Sequence, residues 1–569
     1  MSISPKVDFT FENNNVVQST PSLGVSFVYA ATSKGPVNDA SKVIGSVAEF
    51  RRTFGQELNN SSISQIERAL KAGSLLRICR VAAASSVPGT ISGATVTIPN
   101  IAEIGFRLKN PFDTMGANPT ITFKEVSNKT YLVLADASGE LENIYLYSIK
   151  GASPVALSTP SLVTFMEEED TPAPVVADVK PNVEWDIDGL VKFNKLSQYL
   201  QIYIKEDFTD QNVITDTVQL YDYLNANNPA DLSFTTANGT ITPGTYVVPS
   251  KAADYSTEAI ETLLDYNDVY QVAFSGINTL LKNQSEIRTV HGKWAEIFVP
   301  LQEYTLYIEV PSIQNVGIDN PITPNNLIAW VNDHIGAIGN SKYIAYFAGG
   351  NKVYDNQGMI RDCDAIGAIL GLGDTSATTY GPWKSFAGMN RGIIADCLGP
   401  VIPNYGSPSR YEQLNEFAQA YMNMIVIKDT PAYGKQPLLW HLFTSQFKQD
   451  SERFLSIVRL NLYLKKTLRP ILEKYIEEPN HWTTWKSIYL EVKPILDYLV
   501  EAEAMSTYSW QGDQDANSYR DLTINNEADV RQGKYKVQLR YKDIVPMQEI
   551  TINIVIDAAE QTVAVNLED

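Results

Sequence analysis

The pattern of apolar and polar positions is most regular at the two ends of the chain. Over residues 534–542, Tyr535, Val537, Leu539 and Tyr541 alternate with Lys534, Lys536, Gln538, Arg540 and Lys542, the period of two expected of a half-buried strand. Ile550, Ile552, Ile554 and Ile556 repeat it after a turn at Pro546, and Val563, Val565 and Leu567 repeat it again after a short stretch. At the opposite end Val7, Phe9 and Phe11 alternate with Asp8, Thr10 and Glu12, so both termini read as strands. A two-stranded sheet is marginal alone and its open edges recruit further strands. A hairpin of residues 535–541 and 550–556 is therefore completed either by its own terminal strands or by those of neighbouring copies.

Between these ends the pattern changes twice. A capping box, Ser46-Val47-Ala48-Glu49, opens a helix that buries Phe50 and Phe54 and stops at Gly55; a second cap begins at Ser62, and residues 75–81 form a buried strand holding Cys79. From about 88 to 250 short alternating strands are broken by Gly, Pro, Asn and Ser, which predicts a mostly β insertion. After Tyr255 helices and strands alternate as in an α/β core, with Thr323-Pro324 starting a helix whose apolar stripe is Leu327, Ile328, Val331 and Ile335. A helical region over 446–476, kinked at Pro470, precedes a second helix over 483–503. The fold class is α+β and multidomain: an α/β core, a mostly β insertion, and a C-terminal domain of helices with a β-hairpin.

Composition narrows the function classes. With 44% hydrophobic and 19% charged residues the chain is a globular protein with a substantial core. A formal charge of −20 argues against a general nucleic-acid binder. No apolar run is long enough to span a membrane, and the first ten residues lack a signal-type apolar segment. Cys79, Cys363 and Cys397 are too few and scattered for a disulfide framework or a zinc site, which fits reduced thiols and synthesis in a cytoplasm. Residues 88–250 hold 20 acidic and 9 basic side chains, so much of the negative charge is local; runs such as Glu167-Glu168-Glu169-Asp170 read as solvated loop.

Signatures of catalysis are missing: there is no phosphate-binding Gly-rich loop, no His-Glu-x-x-His and no Gly-x-Ser-x-Gly. His291, His334, His441 and His481 lie far apart and read as structural. Asp513-Gln514-Asp515 starts like a calcium loop, but Ser518 and Ile524 stand where Gly and Glu are needed. The expectation is therefore no enzyme, no cofactor and no metal.

Ser19 to Val25, Lys34-Gly35-Pro36-Val37-Asn38, Ala48 to Gly55 and Arg77-Ile78-Cys79-Arg80-Val81 resemble the opening of contractile tail sheath proteins of bacteriophages and related injection systems. Gly381-Pro382-Trp383-Lys384-Ser385-Phe386-Ala387-Gly388 is similar to the central motif of that family. The course from Phe443-Thr444-Ser445-Gln446 through Leu468-Arg469-Pro470 and Glu478-Pro479-Asn480 to Gly533 and the closing strands follows its C-terminal domain. The likeness covers about 19–81 and 255–569 and leaves the insertion outside; Cys79 departs from the aliphatic or aromatic residue expected there.

The resemblance implies a division into an N-terminal exchange arm (1–18), a split core (19–87 and 251–440), an outer insertion (88–250), an inner C-terminal domain (441–557) and a C-terminal exchange arm (558–569). It implies that Val7, Phe9, Phe11, Val563, Val565 and Leu567 complete the sheets of neighbouring subunits, with Tyr535, Val537, Leu539, Tyr541, Ile550, Ile552, Ile554 and Ile556 as the resident hairpin. Head-to-tail contacts of that kind propagate into a helical homopolymer of stacked hexameric rings, contracting by rigid-body rotation. The implied partners are the chain itself, an inner tail tube, and baseplate and tail terminator proteins, in a virion tail assembled in a bacterial cytoplasm, with no nucleic acid and no membrane insertion. Residues 441–476 carry seven basic against three acidic residues, and Lys448, Arg459 and Lys466 fall on one helical stripe at about 100° per residue. That stripe is either a tube-facing surface or an ordinary solvated face. Two other classes compete: a surface glycan-binding protein using tyrosines of the insertion, and a hydrolase of unrecognised type; neither accounts for the terminal arms. Phage tail and non-phage injection device stay open.

Overall fold

The computed structural model describes residues 25–55, 61–99, 101–113, 115–150, 184–205, 216–227, 234–311, 323–354, 358–395, 397–400, 411–430, 434–448 and 450–548. The terminal strand positions Val7, Phe9, Phe11, Ile550, Ile552, Ile554, Ile556, Val563, Val565 and Leu567 lie outside them.

The core begins with β1 (Val25–Ala30), β2 (Val43–Ile44), α1 (Val47–Phe54), α2 (Ser61–Lys71) and β3 (Leu75–Arg80). The Ser46 side chain caps α1 by accepting from the Glu49 N–H, and Gly55 ends the helix at φ +83°, as the capping box predicts. The chain then enters a separate unit: β4 (Thr90–Ser92), β5 (Thr95–Ile98), β6 (Ala102–Leu108), β7 (Thr120–Val126), β8 (Lys129–Asp136), β9 (Gly139–Lys150), β10 (Glu184–Asp186), α3 (Asp188–Leu196), β11 (Leu200–Ile204), α4 (Thr217–Asn227), β12 (Thr235–Ala237) and β13 (Gly239–Thr242). These strands build a six-stranded sheet ordered β10-β9-β8-β7-β13-β4 and a four-stranded sheet ordered β11-β6-β5-β12. They share a hydrophobic cluster of their own that includes Val96, Ile104, Leu132, Leu146 and Phe193.

The core resumes with α5 (Thr257–Glu261), β14 (Val269–Phe274), α6 (Ile277–Leu281), α7 (Gln284–Phe298), β15 (Thr305–Glu309), α8 (Pro324–Ile338), β16 (Ile344–Ala348), β17 (Asn351–Tyr354), β18 (Ile360–Cys363), α9 (Ile366–Tyr380), β19 (Gly399–Pro400), α10 (Tyr411–Gln419), β20 (Met422–Thr430) and β21 (Gly434–Leu439). Its sheet runs β2-β3-β1-β14-β15-β16-β20-β21, parallel from β3 to β20, with β2 and β21 as antiparallel edges. Counted along the core alone, the parallel order is 2-1-3-4-5-6, a doubly wound sheet. Both faces are covered, which is why β1, β14, β15 and β16 are buried at every position. Phe27 and Tyr29 point to the cluster under α7 and α8, while Val28 and Ala30 point to that under α1, α2 and α9.

The two roots of the insertion meet beside β3. Val87 and Thr245 form a bridge, and the Ala83 N–H donates to the Val247 carbonyl at 2.9 Å. Arg80, at 0% exposure, gathers these strands: it donates to the carbonyls of Thr32 (3.0 Å), Gly35 (2.6 Å) and Ser33 (3.1 Å) and to Asp113 Oδ1 (2.6 Å), under the Tyr246 ring at 3.8 Å. The C-terminal part consists of α11 (Leu455–Glu473), α12 (Trp482–Glu501), β22 (Met505–Gln511), α13 (Glu527–Arg531) and β23 (Gln538–Asp543).

Candidate assembly joint

β22 and β23 form a two-stranded antiparallel sheet, with Tyr508 opposite Tyr541 and Trp510 opposite Leu539. The sequence reading places the partner of the 535–541 strand at 550–556; among the described residues its partner is β22. Regular strand structure starts only at Gln538, because Asn525 captures the preceding backbone, accepting from the Lys536 N–H (2.7 Å) and donating to its carbonyl (3.0 Å). The inner face of the sheet lies on α11 and α12. Tyr535 stacks on Trp485 with ring centroids 5.2 Å apart at 9°, and the Tyr541 hydroxyl donates to Asn461 Oδ1 at 2.7 Å. Val537, Leu539 and Tyr541 remain only half-buried against this cluster.

The calcium-like start at Asp513 is a loop staple. Its carboxylate accepts from the backbone N–H groups of Thr523 (2.7 Å), Ile524 (3.1 Å) and Asn525 (2.8 Å). Burial alone would raise its pKa, but these bonds outweigh that and hold it at about 2.

Helix α11 carries this sheet and fastens it to the core. From Leu455 to Leu468 every residue but Lys466 is buried. Apolar side chains alone cannot explain that, since Arg459 and Lys465 are buried too. Each cation instead reaches a core oxygen along its aliphatic stem. Arg459 donates to the Gly373 carbonyl (2.8 Å) over the Phe386 ring, Lys465 to the Leu301 carbonyl (2.8 Å), and Lys466 to the Asn267 carbonyl (3.0 Å) beneath the Tyr304 ring. Arg469 clamps Glu303 with both terminal nitrogens. Burial would raise Glu303, but Arg469 and Lys465 keep its carboxyl low, while burial brings the Lys466 ammonium down to about 8.

The family-like segment from Gly381 to Gly388 is the other half of this fastening. Gly381 ends α9 at φ +93°, where a Cβ would meet the Trp383 ring at 2.4 Å. The turn throws Trp383 against Tyr463 of α11 at 5.6 Å and sets Phe386, fully buried, under Arg459. Nearby Asp374, 2% exposed, accepts from Ser26 at 2.8 Å and from Gln271; burial pushes its pKa up to about 7, with Arg459 among the groups pulling it down.

These positions correct the expected basic stripe. Lys448 is exposed but precedes the helix, which starts only at Leu455; Arg459 and Lys466 face the core. The three do not form one solvent-facing surface. Arg459→Glu is accordingly expected to lower the melting temperature strongly by setting a second buried carboxylate beside Asp374, whereas Lys448→Glu leaves it unchanged; differential scanning fluorimetry of the two variants checks this. His291 and His334, remote in sequence, meet at 3.0 Å in the core, which spacing alone could not reveal.

No family model matches this chain, and no curated protein matches it in sequence. Among solved structures it is similar to a sheath tail protein of Listeria innocua (12% identity, 92% of this chain and 95% of that one, TM-score 0.47). It is also similar to one of Desulfitobacterium hafniense (12%, 90% and 94%, TM-score 0.42). The helical sheath of the anti-feeding prophage in its contracted state is similar at 18% identity over 55% of this chain and 78% of that one, TM-score 0.41. Each of these three is a sheath or sheath tail protein.

Proposed function

We propose that this chain is a structural subunit of a contractile sheath, polymerising head to tail around the inner tube of a phage-like tail and driving that tube forward when the lattice shortens. The observation that carries the reading is the two-stranded sheet β22-β23: its edges away from each other are unpaired among the described residues, Val537, Leu539 and Tyr541 on the inner face of β23 are half-buried, and residues 7–12 and 550–568 are patterned as strands. Strands lent by neighbours complete such a sheet through main-chain hydrogen bonds, which link one subunit to the next while the bodies rotate.

A sheath also needs a body that moves as a unit. The bonds from Arg459, Lys465, Lys466 and Arg469 to the core tie α11, and the sheet it carries, to the doubly wound domain. Contraction is then a change of lattice between rigid bodies, driven by interface energy stored on assembly, without a nucleotide. The family order of the motifs from Ser19 to Gly533 supports the same reading, and the inner tube, baseplate and terminator proteins are its partners.

The test is negative-stain electron microscopy of the purified full chain beside a version lacking residues 1–12. Striated tubes from the first and only dispersed subunits from the second are expected; tubes of normal length from the truncated chain would sink the exchange mechanism.

A further inference from the structure

The outward face of the four-stranded sheet in the insertion is polar except for one ring. Its inward residues, among them Val96, Ile104, Phe106 and Ile202, go to the insertion's own core. The alternate positions of β5, β6 and β11 point the other way. The ring among them is that of Tyr203, 39% exposed. It occupies the space above Gly105, its directly paired residue on β6, where an added Cβ would meet the ring at 2.6 Å. Glycine at this position lets the ring settle on the strand beside it.

Two polar pairs flank the ring along the strands. On one side Arg107 donates from Nε to Gln201 Oε1 at 3.2 Å, with its guanidinium carbon 5.8 Å from the ring centre; on the other, Lys205 donates to Glu103 Oε1 at 2.5 Å. Successive outward positions lie about 7 Å apart along a strand, so each pair is within reach of a molecule lying on Tyr203. Thr95 and Thr97, opposite Gly105 and Glu103 on β5, extend the same face sideways. The face therefore has one apolar ring at its middle and both donors and acceptors around it.

The chemistry of that surface selects its ligand. A protein interface has an apolar core, and a single tyrosine among threonines and charged pairs does not supply one. Nucleic acid is disfavoured because residues 88–250 carry 20 acidic and 9 basic side chains. With Lys205 neutralised by Glu103, no cluster of one sign asks for a charged ligand. A pyranose presents an apolar C–H face and a rim of hydroxyls, which matches an aromatic ring edged by hydrogen-bonding side chains. A β-1,4 linkage keeps successive sugars in an extended ribbon, the shape that an open sheet face accepts, whereas α-1,4 chains curl. We infer that this face binds a neutral β-1,4-linked glycan, with one sugar stacked on Tyr203 and its neighbours hydrogen-bonded by Arg107 with Gln201 and by Lys205 with Glu103. The site stands apart from the sheath reading and gives the insertion an activity of its own; repetition of the subunit in a polymer adds avidity to a weak single site.

Saturation-transfer NMR of the full chain with cellohexaose, chitohexaose and maltohexaose tests this. At least one of the two β-1,4 hexamers is expected to bind, ~10-fold or more tightly than maltohexaose, and which of them binds tells a glucan from an amino-sugar chain. Y203A is expected to weaken that binding by more than ~10-fold and Y203F by less than ~2-fold, since the ring and not its hydroxyl makes the platform. Tyr203 and Arg107 are exposed, so their variants keep the melting temperature of the original. If Y203A does not, R107A/Q201A decides in its place: a weakening of ~3-fold or more is expected, and unchanged binding overturns the inference. No binding by either β-1,4 hexamer, binding of maltohexaose as tight as theirs, or undiminished binding by a folded Y203A also overturns it. None of these outcomes depends on whether the chain forms tubes, so the sheath reading stands or falls separately.

Discussion

Replacing Arg80 by methionine is expected to lower the unfolding free energy by about 3–5 kcal/mol, the range for breaking one side of a buried ion pair. Arg80 has no exposed surface and satisfies three backbone carbonyls of the 32–35 turn as well as Asp113. Methionine fills much of the volume and leaves all four acceptors without their donor. Asp113 is the critical one. Burial already raises its carboxyl above the usual range despite Arg80 and the Gly35 N–H beside it, so removing the guanidinium drives it to take up a proton. Lysine is no remedy, because one ammonium cannot reach the fork of oxygens that Nε, Nη1 and Nη2 serve. Removing both partners, R80M with D113L, is expected to cost less than the two single changes added together, since no stranded charge remains. Denaturant unfolding at neutral pH of the four proteins measures the coupling; strict additivity would mean that the pair does not hold the insertion to the core. Arg80 ties the turn after β1, β3 and both roots of the insertion, so limited proteolysis near residues 83–87 and 245–250 should quicken in R80M.

What was legible in the sequence follows the range of the forces involved. The caps at Ser46 and Thr323 are local hydrogen bonds, and both form as read. The uninterrupted apolar run of β1 marks a strand covered on both faces. β22 was not legible: a register shift between Met505 and Thr507 breaks its period of two, and Ser506, Thr507 and Ser509 dilute what is left. Helices α3 and α4 are short and hide among the β-patterned segments of the insertion. The basic residues of α11 show where local periodicity stops being informative. Arg459 and Lys466 do share a helix face, but that face meets carbonyls of residues 373 and 267, which no spacing rule connects to it. Lys448 lies off the helix because the chain from Asp450 to Phe454 forms a short 3-10 turn first. The joining of Trp383 to Tyr463 and of Asp113 to Arg80 likewise depends on the finished topology.

Acidification is expected to weaken the core through His291 and His334. The two rings touch at 3.0 Å, packed between Phe274, Trp330 and Tyr346 with almost no exposure. Burial lowers the pKa of His291 to about 3, and burial, His291 and Arg288 together lower that of His334 well below 6.5. In the unfolded chain both titrate near 6.5. Between these limits the unfolded state binds protons that the folded state refuses, so stability is fully present above pH 6.5 and is lost as pH falls toward 3, at about 1.4 kcal/mol per pH unit for each histidine. His441, held at about 4 by burial and Arg453, adds in the same direction. Asp374 and Glu309 act oppositely: burial raises both carboxyls, so they stabilise the protonated fold at low pH and lose that contribution as pH rises, for Asp374 through about 7. The net slope of the original chain therefore mixes both signs, and the histidine share must be read by difference. H291Q/H334Q should have a melting temperature that falls less between pH 6.5 and 4.5 than the original, the gap widening steadily toward acid and equivalent to two fewer protons taken up on unfolding. Parallel curves would mean that the pair is protonated, or open to water, in the folded protein.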